Sequence, residues 1–294
     1  MASSESHVSS ATRIPLTTII LTLNEEANIS ACANALARVG ELVLVDSNST
    51  DGTVERARTA RPDVRVFFHT FKDFGEQRNW ALDHTSPRYP WVLFVDADEF
   101  CSPALLDEIS AFIGSSGEHV GGYVAGKNYF LGRWLKHTTY YPSYQLRLLK
   151  LEEVRFRKEG HGQRETTDGP FVYFRESWRH EGFSQGVSHW IARHNRYSSD
   201  ETELLVRLRN EKLNWRELVS CDPIVRRRAA KRLGAKMPFR PLTRFVYTYV
   251  LRRGFMDGVP GLLYCLLRVA HDIHIVVKLY ELRHLERQSR ELSR

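Results

Sequence analysis

The sequence predicts an α/β fold, a mostly parallel sheet flanked by helices, with amphipathic helices at its C-terminal end. Between residues 16 and 110, short apolar, β-branched runs alternate with segments of helical periodicity. This alternation is typical of a parallel sheet with helices on both faces. Residues 121–174 carry short apolar and aromatic stretches broken by Gly, Pro and charges, which indicates a mixed extension of the sheet. Beyond Arg226 the pattern becomes that of long amphipathic helices.

The individual elements follow from local composition. Strands are expected at residues 17–23, 42–45, 64–68 and 91–95, where apolar runs suit buried parallel strands. Helices are expected at 26–38, 53–60, 75–84 and 181–208. Pro62 ends the second of these helices, because a residue before proline avoids helical dihedrals. Pro103 suits the first position of a further helix.

Composition and charge limit the classes of function. The chain has 294 residues, enough for one large domain with an appendage, and four scattered cysteines without a CxxC pair. This cysteine usage argues against a disulfide framework or a thiolate metal site, and predicts a reducing, cytoplasmic setting. The net charge of +7 implies anionic partners. The basic excess lies in the C-terminal part, where Arg226, Arg227, Arg228, Lys231 and Arg232 form a dense run.

Polar clusters follow three of the predicted strands. In an open α/β sheet, ligands bind beyond the carboxyl ends of the strands, so these clusters are expected to converge. The candidate residues are Thr22, Asn24 and Glu25 after the first strand, Asp46 and Asp51 after the second, and Asp96 and Asp98 after the fourth.

The pair Asp96 and Asp98 carries the predicted chemistry. Two carboxylates separated by one small residue at a strand end can share Mg²⁺ or Mn²⁺, with a diphosphate completing the metal's oxygen shell. The alternative is a solvated loop with a helix-capping aspartate. The apolar run directly before the pair, Trp91-Val92-Leu93-Phe94-Val95, favours the metal site.

Other candidates have structural alternatives that remain open. Asn24, Glu25 and Asp46 can accept hydrogen bonds from a nucleoside. Residues 46–53 also fit an Asx-rich turn and a helix cap, in which Asp51 caps the next helix. Arg78 can hold a diphosphate in forked geometry or can be a surface helix arginine.

Four motifs in order resemble family 2 inverting glycosyltransferases of the GT-A (Rossmann-like) fold. They are Thr-x-Asn-Glu-Glu, Val-Asp-Ser-x-Ser-x-Asp-Gly-Thr, Gly-x-x-Arg-Asn-x-Ala-Leu and Asp-Ala-Asp, between residues 15 and 110. Within that family the chain is most similar to bacterial lipopolysaccharide-core and exopolysaccharide glucosyltransferases. The resemblance implies that Asn24, Glu25 and Asp46 contact a nucleoside, usually uridine, and that Arg78 lies near the diphosphate. Asp96 and Asp98 would be the sugar-and-metal pair, with Asp98 the direct metal ligand.

The acceptor side is less specific. The segment around Gln145 and Arg147 resembles a stretch that borders the acceptor, so both residues are expected to face the donor phosphates or the acceptor; an amphipathic edge strand is the alternative. An inverting transfer needs a general base. Many relatives carry His-Glu here, whereas this chain has Arg164-Glu165, with His161 displaced upstream. Glu165 is the first candidate base and His161 the second, while Glu165 can instead pair with Arg164.

These observations divide the chain into residues 1–14, a flexible N-terminus; 15–210, the catalytic domain; and 211–294, a basic amphipathic helical region. Within the catalytic domain, 15–110 would bind the nucleotide sugar and 111–210 the acceptor. In the last region, Arg268, His271, His274 and Lys278 recur on one helix face. They are expected to face anionic lipid at the inner side of the cytoplasmic membrane. The alternative is a helix packed on the protein's own core.

The predicted function is transfer of a hexose, with glucose the first candidate, from a UDP-linked donor to a saccharide or lipid-linked acceptor. Two rival hypotheses remain. A nucleic-acid-binding protein would use the basic run, but no nucleic-acid module is recognisable in the sequence, so no nucleic-acid partner is expected. A membrane-bound scaffold without catalysis would not need Arg78, Asp96 and Asp98.

Overall fold

The computed structural model describes residues 13–160, 162–167 and 169–292. The strands within these residues are β1 (Ile14–Thr22), β2 (Val39–Asp46), β3 (Arg65–Phe68), β4 (Trp91–Asp96), β5 (Glu99–Phe100), β6 (Gly121–Phe130), β7 (Arg133–Trp134), β8 (Tyr144–Lys150), β9 (Phe156–Glu159), β10 (Gly162–Glu165) and β11 (Phe171–His180). The α-helices are α1 (Ile29–Ala35), α2 (Thr53–Ala60), α3 (Phe74–His84), α4 (Pro103–Ile113), α5 (Gly186–Asn210), α6 (Trp215–Leu218), α7 (Pro223–Lys236), α8 (Arg240–Phe245) and α9 (Gly258–Leu292). A π-helical turn (Val246–Leu251) and a 3₁₀ turn (Gly254–Asp257) lie between α8 and α9.

The described strands of the main sheet follow the order β3-β2-β1-β4-β8-β6-β11-β5, with β7 beside β6. The first four strands are parallel, as the strand–helix alternation predicts. β8 then pairs antiparallel with both β4 and β6, which makes the second half of the sheet mixed. β9 and β10 form a separate antiparallel hairpin. The expected α/β fold with a mixed extension is therefore confirmed.

The sheet buries apolar residues on both faces. One face packs Leu44, Leu93 and Leu148 with residues of α1 and α4, and the other packs Val45 and Phe94 with residues of α3 and β9. Burial on two sides explains why β1, β2 and β4 are continuous apolar runs rather than alternating ones. This rigid centre fixes the carboxyl ends of the strands.

Two helices predicted from the sequence had wrong boundaries. The helix expected at 26–38 spans only Ile29–Ala35, because residues 23–28 form a loop in which Asn24 has a positive φ of 55°. The helix expected from 181 begins at Gly186, because residues 181–185 form turns, and the Gln185 amide donates to the Asn24 carbonyl at 2.9 Å. Of the N-terminal segment 1–14, residues 1–12 lie outside the described part, and Ile14 begins β1.

The C-terminal helices form one packed unit. Leu204, Leu205 and Leu208 of α5 pack with Ile275 and Leu279 of α9 in a small separate core. Amphipathic helices were expected here, and the structure contains them. In the described residues, no helix is long and apolar enough to cross a membrane.

The cationic face of α9 does not have the predicted orientation. His271 is buried, and the Lys278 ammonium donates to the Asn195 carbonyl and the Ser198 hydroxyl of α5, both at 2.8 Å. This face therefore packs on the protein, and α9 instead exposes apolar residues such as Val277.

Candidate functional site

The parallel strand order brings three predicted site residues to one edge of the sheet. Thr22 at the end of β1 pairs with Asp46 at the end of β2, and the preceding Leu21 pairs with Asp96 at the end of β4. The polar clusters that follow these strands therefore meet, although they are far apart in sequence.

The loops after β1 and β2 lock each other. The Asn24 amide oxygen accepts from the Thr50 N–H at 2.8 Å, and the Asn24 N–H donates to the Ser49 hydroxyl at 2.8 Å. The fully buried Asp46 accepts from the Ser49 N–H at 2.7 Å. Asp51 accepts from the Thr53 N–H at 3.1 Å at the start of α2. The Asx-type turn is thus present, and the nucleoside contacts of these residues stay predictions.

Two buried polar atoms near these loops lack a hydrogen-bond partner within the described residues. They are the Thr22 hydroxyl and the side-chain oxygen of Gln77. The Gln77 amide nitrogen donates to the Ser47 hydroxyl at 3.1 Å, so α3 reaches the loop after β2. Unsatisfied buried polar atoms carry an energetic cost, which a bound polar ligand would relieve. Gln77 was not among the site residues predicted from the sequence.

Glu25 lies on the same side of the site as Asp98. Burial and the neighbouring Asp98 charge raise the pKa of Glu25 to about 7, against the opposing effect of the hydrogen bond from Asn28. The Asn28 amide donates to the Glu25 carboxylate at 2.6 Å. A carboxyl group in this environment can bind a ligand as an acceptor or, when protonated, as a donor.

Asp96 is held between two buried arginines. One carboxylate oxygen accepts from Arg78 at 3.0 Å and the other accepts from Arg147 at 2.8 Å. Arg78 and Arg147 are each 1% exposed, so neither is a surface arginine. Burial would raise the pKa of Asp96, but the two guanidinium charges hold it well below its ordinary value. Asp96 is therefore ionised at the centre of a cationic pair.

Arg147 also binds Glu99, which the sequence analysis did not identify as a site residue. The distance from the Arg147 guanidinium to the Glu99 carboxylate is 2.5 Å. Burial raises the pKa of Glu99 to about 7, although the Arg147 charge opposes this effect. Two of the guanidinium nitrogens of Arg147 are buried without a partner in the described structure. Arg147 thus has unused donors inside the site.

An irregularity in β8 directs Arg147 toward this cluster. The β6–β8 register advances by one residue from Gly122 to Tyr123 but by two from Leu148 to Leu146, so Arg147 is an extra residue. Bulges of this kind re-aim a side chain and often occur beside binding sites. Gln145, also on β8, lies opposite Val124 of β6. Its side chain is exposed and has no part in the arginine cluster.

Asp98 contacts a histidine that the sequence analysis missed. The Nε2 atom of His180 lies 3.3 Å from the Asp98 carboxylate, and its Nδ1 atom lies 2.7 Å from the side-chain oxygen of Asn128. The Glu181 N–H donates to the Asp98 carbonyl at 2.9 Å, which fixes the end of β11 beside Asp98. Burial lowers the pKa of His180, but the Asp98 charge and hydrogen bond, together with the Glu99 and Asp96 charges, raise it to about 9. The sequence signal for this site was the polar pair His180-Glu181 at the end of β11.

The donor set at this point fits a divalent ion only in part. Among the described residues, no cluster of three His, Cys, Asp or Glu side chains forms a complete metal site. Asp98 and His180 offer one carboxylate oxygen and one imidazole nitrogen on adjacent strand ends. Mn²⁺ accepts both kinds of ligand, and diphosphate oxygens can fill the remaining positions. Asp96, by contrast, has both oxygens bonded to arginines.

Of the two candidate bases, only Glu165 is described. It accepts from the Tyr123 hydroxyl at 2.8 Å and forms an ion pair with Arg228 of α7. Arg164, the partner considered for it, instead contacts Glu159 at 3.5 Å. His161 lies outside the described residues.

The hairpin that carries Glu165 reaches the arginine cluster through Gln163. The Gln163 side-chain oxygen accepts from Arg78 at 2.7 Å. Gln163 and Glu165 share one face of β10, because alternate residues of a strand point the same way.

The basic run of α7 is used within the protein. Each of its five cations bonds to another part of the described chain: Arg226 to the Ser220 carbonyl, Arg227 to the Tyr144 carbonyl, Arg228 to Glu165, Lys231 to Glu201 and Arg232 to Glu217. The three carboxylate pairs, those of Arg228, Lys231 and Arg232, reduce the charge available for phosphates or lipid. Much of the run is therefore engaged in contacts within the protein.

Comparison with known proteins agrees with this geometry. Residues 17–183 match the family Glycosyl transferase family 2. The chain is 35% identical over 123 residues to the lipopolysaccharide core biosynthesis glycosyltransferase LpsC of Rhizobium meliloti, covering 41% of this chain and 45% of that protein. It is 37% identical over 105 residues to a PGL/p-HBAD biosynthesis glycosyltransferase of Mycobacterium tuberculosis, covering 33% of this chain and 40% of that protein. The chain thus spans less than half the length of either relative.

A solved structure shares the fold over nearly the whole chain. The mannosyltransferase PcManGT of Pyrobaculum calidifontis, solved with GDP-Man and Mn²⁺, superposes with a TM-score of 0.51 at 15% identity, covering 92% of this chain and 88% of that one. At this identity the similarity establishes the GT-A fold alone. The family match extends over more than half of the chain, and the chain therefore belongs to glycosyl transferase family 2.

Proposed function

We propose that this protein transfers a sugar from a nucleotide-diphosphate donor to a saccharide or lipid-linked acceptor, with inversion at the anomeric carbon, in the synthesis of a cell-surface polysaccharide or lipopolysaccharide. The observation that carries the proposal is the edge of the sheet, where Asp96 lies between two buried arginines and Asp98 contacts His180. Anion-binding donors and metal-binding acceptors therefore stand side by side, which is what a sugar diphosphate requires.

Asp98 and His180 are the proposed metal ligands. The sequence alone assigned the ion to Asp96 and Asp98, but the arginines on Asp96 leave Asp98 and His180 as the better-placed pair. Mn²⁺ suits this mixed oxygen and nitrogen donor set, and Mg²⁺ remains a candidate. When bound, the ion would offset the charge of the departing nucleoside diphosphate. Asn128 holds the other ring nitrogen of His180 and so fixes the orientation of the imidazole.

The arginines orient Asp96 and add positive charge beside the leaving group. Because both guanidinium groups are buried and fixed, they need little reorganisation when charge develops on the diphosphate. The Asp96 carboxylate then accepts from hydroxyl groups of the donor ribose or sugar, while unused N–H groups of Arg147 face the phosphates.

The nucleoside would lie against the loops after β1 and β2. Thr22, Asn24, Glu25, Asp46 and Asp51 line or support these loops, and the unpartnered Thr22 hydroxyl gives one free polar group there. Uridine is the base expected from the sequence resemblance, and glucose is the first candidate sugar. Guanosine is the alternative base, since PcManGT was solved with GDP-Man.

Glu165 is the proposed base, with His161 as the second candidate. Glu165 lies on the strand whose Gln163 contacts Arg78, so the hairpin is tied to the donor site. In an in-line displacement the base takes a proton from the acceptor hydroxyl on the face opposite the diphosphate. The Tyr123 hydroxyl and Arg228 fix the position of this carboxylate.

Sugar transfer and donor hydrolysis test the proposal. The protein is incubated with Mn²⁺ and a panel of UDP- and GDP-linked sugars, and release of the nucleoside diphosphate is measured. At least one donor should be consumed by the wild type, and consumption should be lost in Asp98→Ala and in His180→Ala. Asp107→Ala, which alters an exposed surface ion pair, is the control. Full turnover by a folded Asp98→Ala variant would refute the proposed role of the metal.

A further inference from the structure

The C-terminal region exposes a row of large apolar side chains. We define the apolar ridge as Tyr247, Val250, Leu251, Phe255, Met256 and Val259, which belong to the π-helical turn, the 3₁₀ turn and the start of α9. Leu251 is 69% exposed and Val259 68% exposed. Neighbouring exposed apolar side chains of this kind are typical of protein or membrane interaction sites.

The inner side of the same turns is fixed against the body of the protein. The buried Asp257 accepts from the Thr138 N–H at 2.9 Å and from its hydroxyl at 3.0 Å. A Cβ atom at Gly254 would lie 2.8 Å from the Thr138 side chain, so the Gly254 backbone packs closely against that side chain. Thr248, Gly254 and Asp257 are buried, whereas the ridge side chains beside and between them are exposed.

The charges around the apolar ridge favour one kind of partner. In the described segment 237–280, the acidic residues before Tyr280 are Asp257 and Asp272, and both are buried. Asp272 is neutralised by ion pairs with Arg240 and Arg244. The exposed part of the segment is therefore apolar and, at Arg253, cationic, with no exposed carboxylate. This combination complements an anionic lipid surface.

A second copy of the chain fits the apolar ridge less well. A two-fold interface would place the same surface against itself and bury each Arg253 without an opposing carboxylate from that surface. Unpaired like charges at an interface are unfavourable. Charge complementarity thus favours lipid over self-association.

A loop connects the apolar ridge with the candidate metal site. The Tyr140 hydroxyl lies 2.9 Å from the Thr248 hydroxyl, and the Tyr141 hydroxyl lies 3.0 Å from the Ser177 hydroxyl of β11. At its start, the Leu135 N–H donates to the carbonyl of Asn128, the residue whose side chain contacts His180. The 131–143 loop therefore touches the ridge-bearing turns at one end and the site at the other.

We propose that the apolar ridge inserts into the interface of an anionic lipid bilayer, and that the 131–143 loop thereby faces an acceptor anchored in that bilayer. The lipid-contacting surface is thus the apolar ridge, and not the cationic face of α9, which packs on α5. The identity of the acceptor rests on the proposed transferase function, whereas bilayer binding does not.

Vesicle co-sedimentation tests the bilayer contact. The full chain is mixed with vesicles of phosphatidylcholine alone or of phosphatidylcholine with phosphatidylglycerol. The wild type should sediment with the anionic vesicles and bind the neutral ones less. The double variant Leu251→Asp/Phe255→Asp should lower binding by about tenfold or more, because two apolar side chains lose their burial. Val219→Asp, which changes an 81% exposed valine outside the ridge, should bind like the wild type.

Three outcomes would overturn the bilayer contact. They are a wild type that stays in the supernatant with both kinds of vesicle, a double variant that binds as well as the wild type, and a concentration-dependent dimer that the double variant abolishes. Arg253→Gln provides a second variant, which should reduce the preference for anionic over neutral vesicles. Thermal melting of each variant shows whether it remains folded.

Radiolabelled donor tests the class of acceptor. Bacterial membranes are incubated with the protein and a labelled nucleotide sugar that the protein consumes, and label is measured in the organic-solvent extract. Wild type and Val219→Asp should place label in that extract, and the Leu251→Asp/Phe255→Asp variant should not, while its nucleotide binding stays unchanged. Label found only in water-soluble products would overturn a lipid-anchored acceptor. A wild type that binds no nucleotide sugar would instead refute the transferase function, and the vesicle result would still hold.

Discussion

At the residue scale, the buried charge cluster is the main feature of the site. Arg147 contacts Asp96 and Glu99, and its side chain is 2% exposed. Arg147→Ala would leave Glu99, which is 3% exposed, without its cationic partner. We expect a loss of about 3–5 kcal/mol in the free energy of unfolding, measured by urea denaturation.

The matched control is an arginine at the surface. Arg38 pairs with Asp107 at 2.6 Å, and both side chains are about half exposed. Arg38→Ala should cost no more than about 1 kcal/mol, because water screens exposed pairs. Equal losses in the free energy of unfolding for the two variants would contradict a buried, desolvated ion-pair cluster around Asp96.

The candidate base gives a second prediction at this scale. Glu165→Gln keeps the size of the side chain and removes the carboxylate. If Glu165 takes the acceptor proton, kcat should fall by about 10²–10⁴-fold, while the Kd for the nucleoside diphosphate stays unchanged. Arg228→Gln, which removes the ion pair but keeps the carboxylate, should lower kcat much less. Unchanged kcat in Glu165→Gln would move the assignment to His161.

The sequence identified residues that stand in motifs and missed those that are assembled by the fold. Arg78 and Asp96 carry recognisable spacing, and the structure places them in contact. His180 and Glu99 were missed, because their roles depend on the end of β11 and on a bulge in β8. A bulge arises from tertiary register, which local composition does not encode.

At the element scale, the contact between α3 and β9 positions Arg78. A Cβ at Gly75 would lie 2.9 Å from the backbone carbon of Arg157, so Gly75→Ala forces the two elements apart. We expect a loss of about 1–3 kcal/mol in stability, measured as a lower Tm and urea midpoint.

Gly114→Ala serves as the comparison for Gly75→Ala. Its φ is −67°, and the nearest atom to an added Cβ is 3.6 Å away. Alanine is therefore tolerated there, and stability should stay equal or rise slightly. A Gly75→Ala variant as stable as Gly114→Ala would contradict the close packing of α3 on β9.

The packing of α5 on α9 predicts a pH dependence. His194 stacks on Trp190 with ring centroids 3.5 Å apart and lies edge-on to His271. Burial and the nearby Arg268 charge lower its pKa from 6.5 to about 2, although its hydrogen bond to the Trp190 carbonyl opposes this. Below about pH 6.5 the unfolded chain binds a proton at this site that the folded chain does not. The free energy of unfolding therefore decreases as the pH is lowered.

His194→Phe checks this prediction, because phenylalanine keeps an aromatic ring and does not titrate. The decrease in Tm between about pH 7.5 and about pH 5 should be smaller in His194→Phe than in the wild type. Identical decreases would contradict a neutral His194 in the folded protein.

Element identity was easier to predict than element orientation. Helix α2 spans the residues expected from the sequence, because its apolar positions and Pro62 define both ends. For α9 the periodicity indicated an amphipathic helix correctly but not which face is buried. That choice depends on Asn195 and Ser198 of α5, which accept the Lys278 hydrogen bonds and lie far away in sequence.

At the scale of the whole molecule, two parts of the chain carry two different candidate binding surfaces. The sheet presents the candidate donor site at the carboxyl ends of β1, β2 and β4, and the C-terminal helices present the apolar ridge. The 131–143 loop and the Asp257 contacts connect the two. The fold class was predictable because strand–helix alternation is a long-range pattern that single substitutions do not obscure.

Calorimetric titration of the nucleoside diphosphate tests the central claim most directly. UDP and, in parallel, GDP are titrated into wild type and Asp98→Ala, each in Mn²⁺ and in EDTA, with Asp107→Ala as the control. For at least one nucleotide the wild type should bind about tenfold or more tightly in Mn²⁺ than in EDTA, because Asp98 and His180 would hold an ion that offsets the charge of the diphosphate. Asp98→Ala should bind equally weakly in both. Metal-dependent binding that persists in Asp98→Ala would contradict the account.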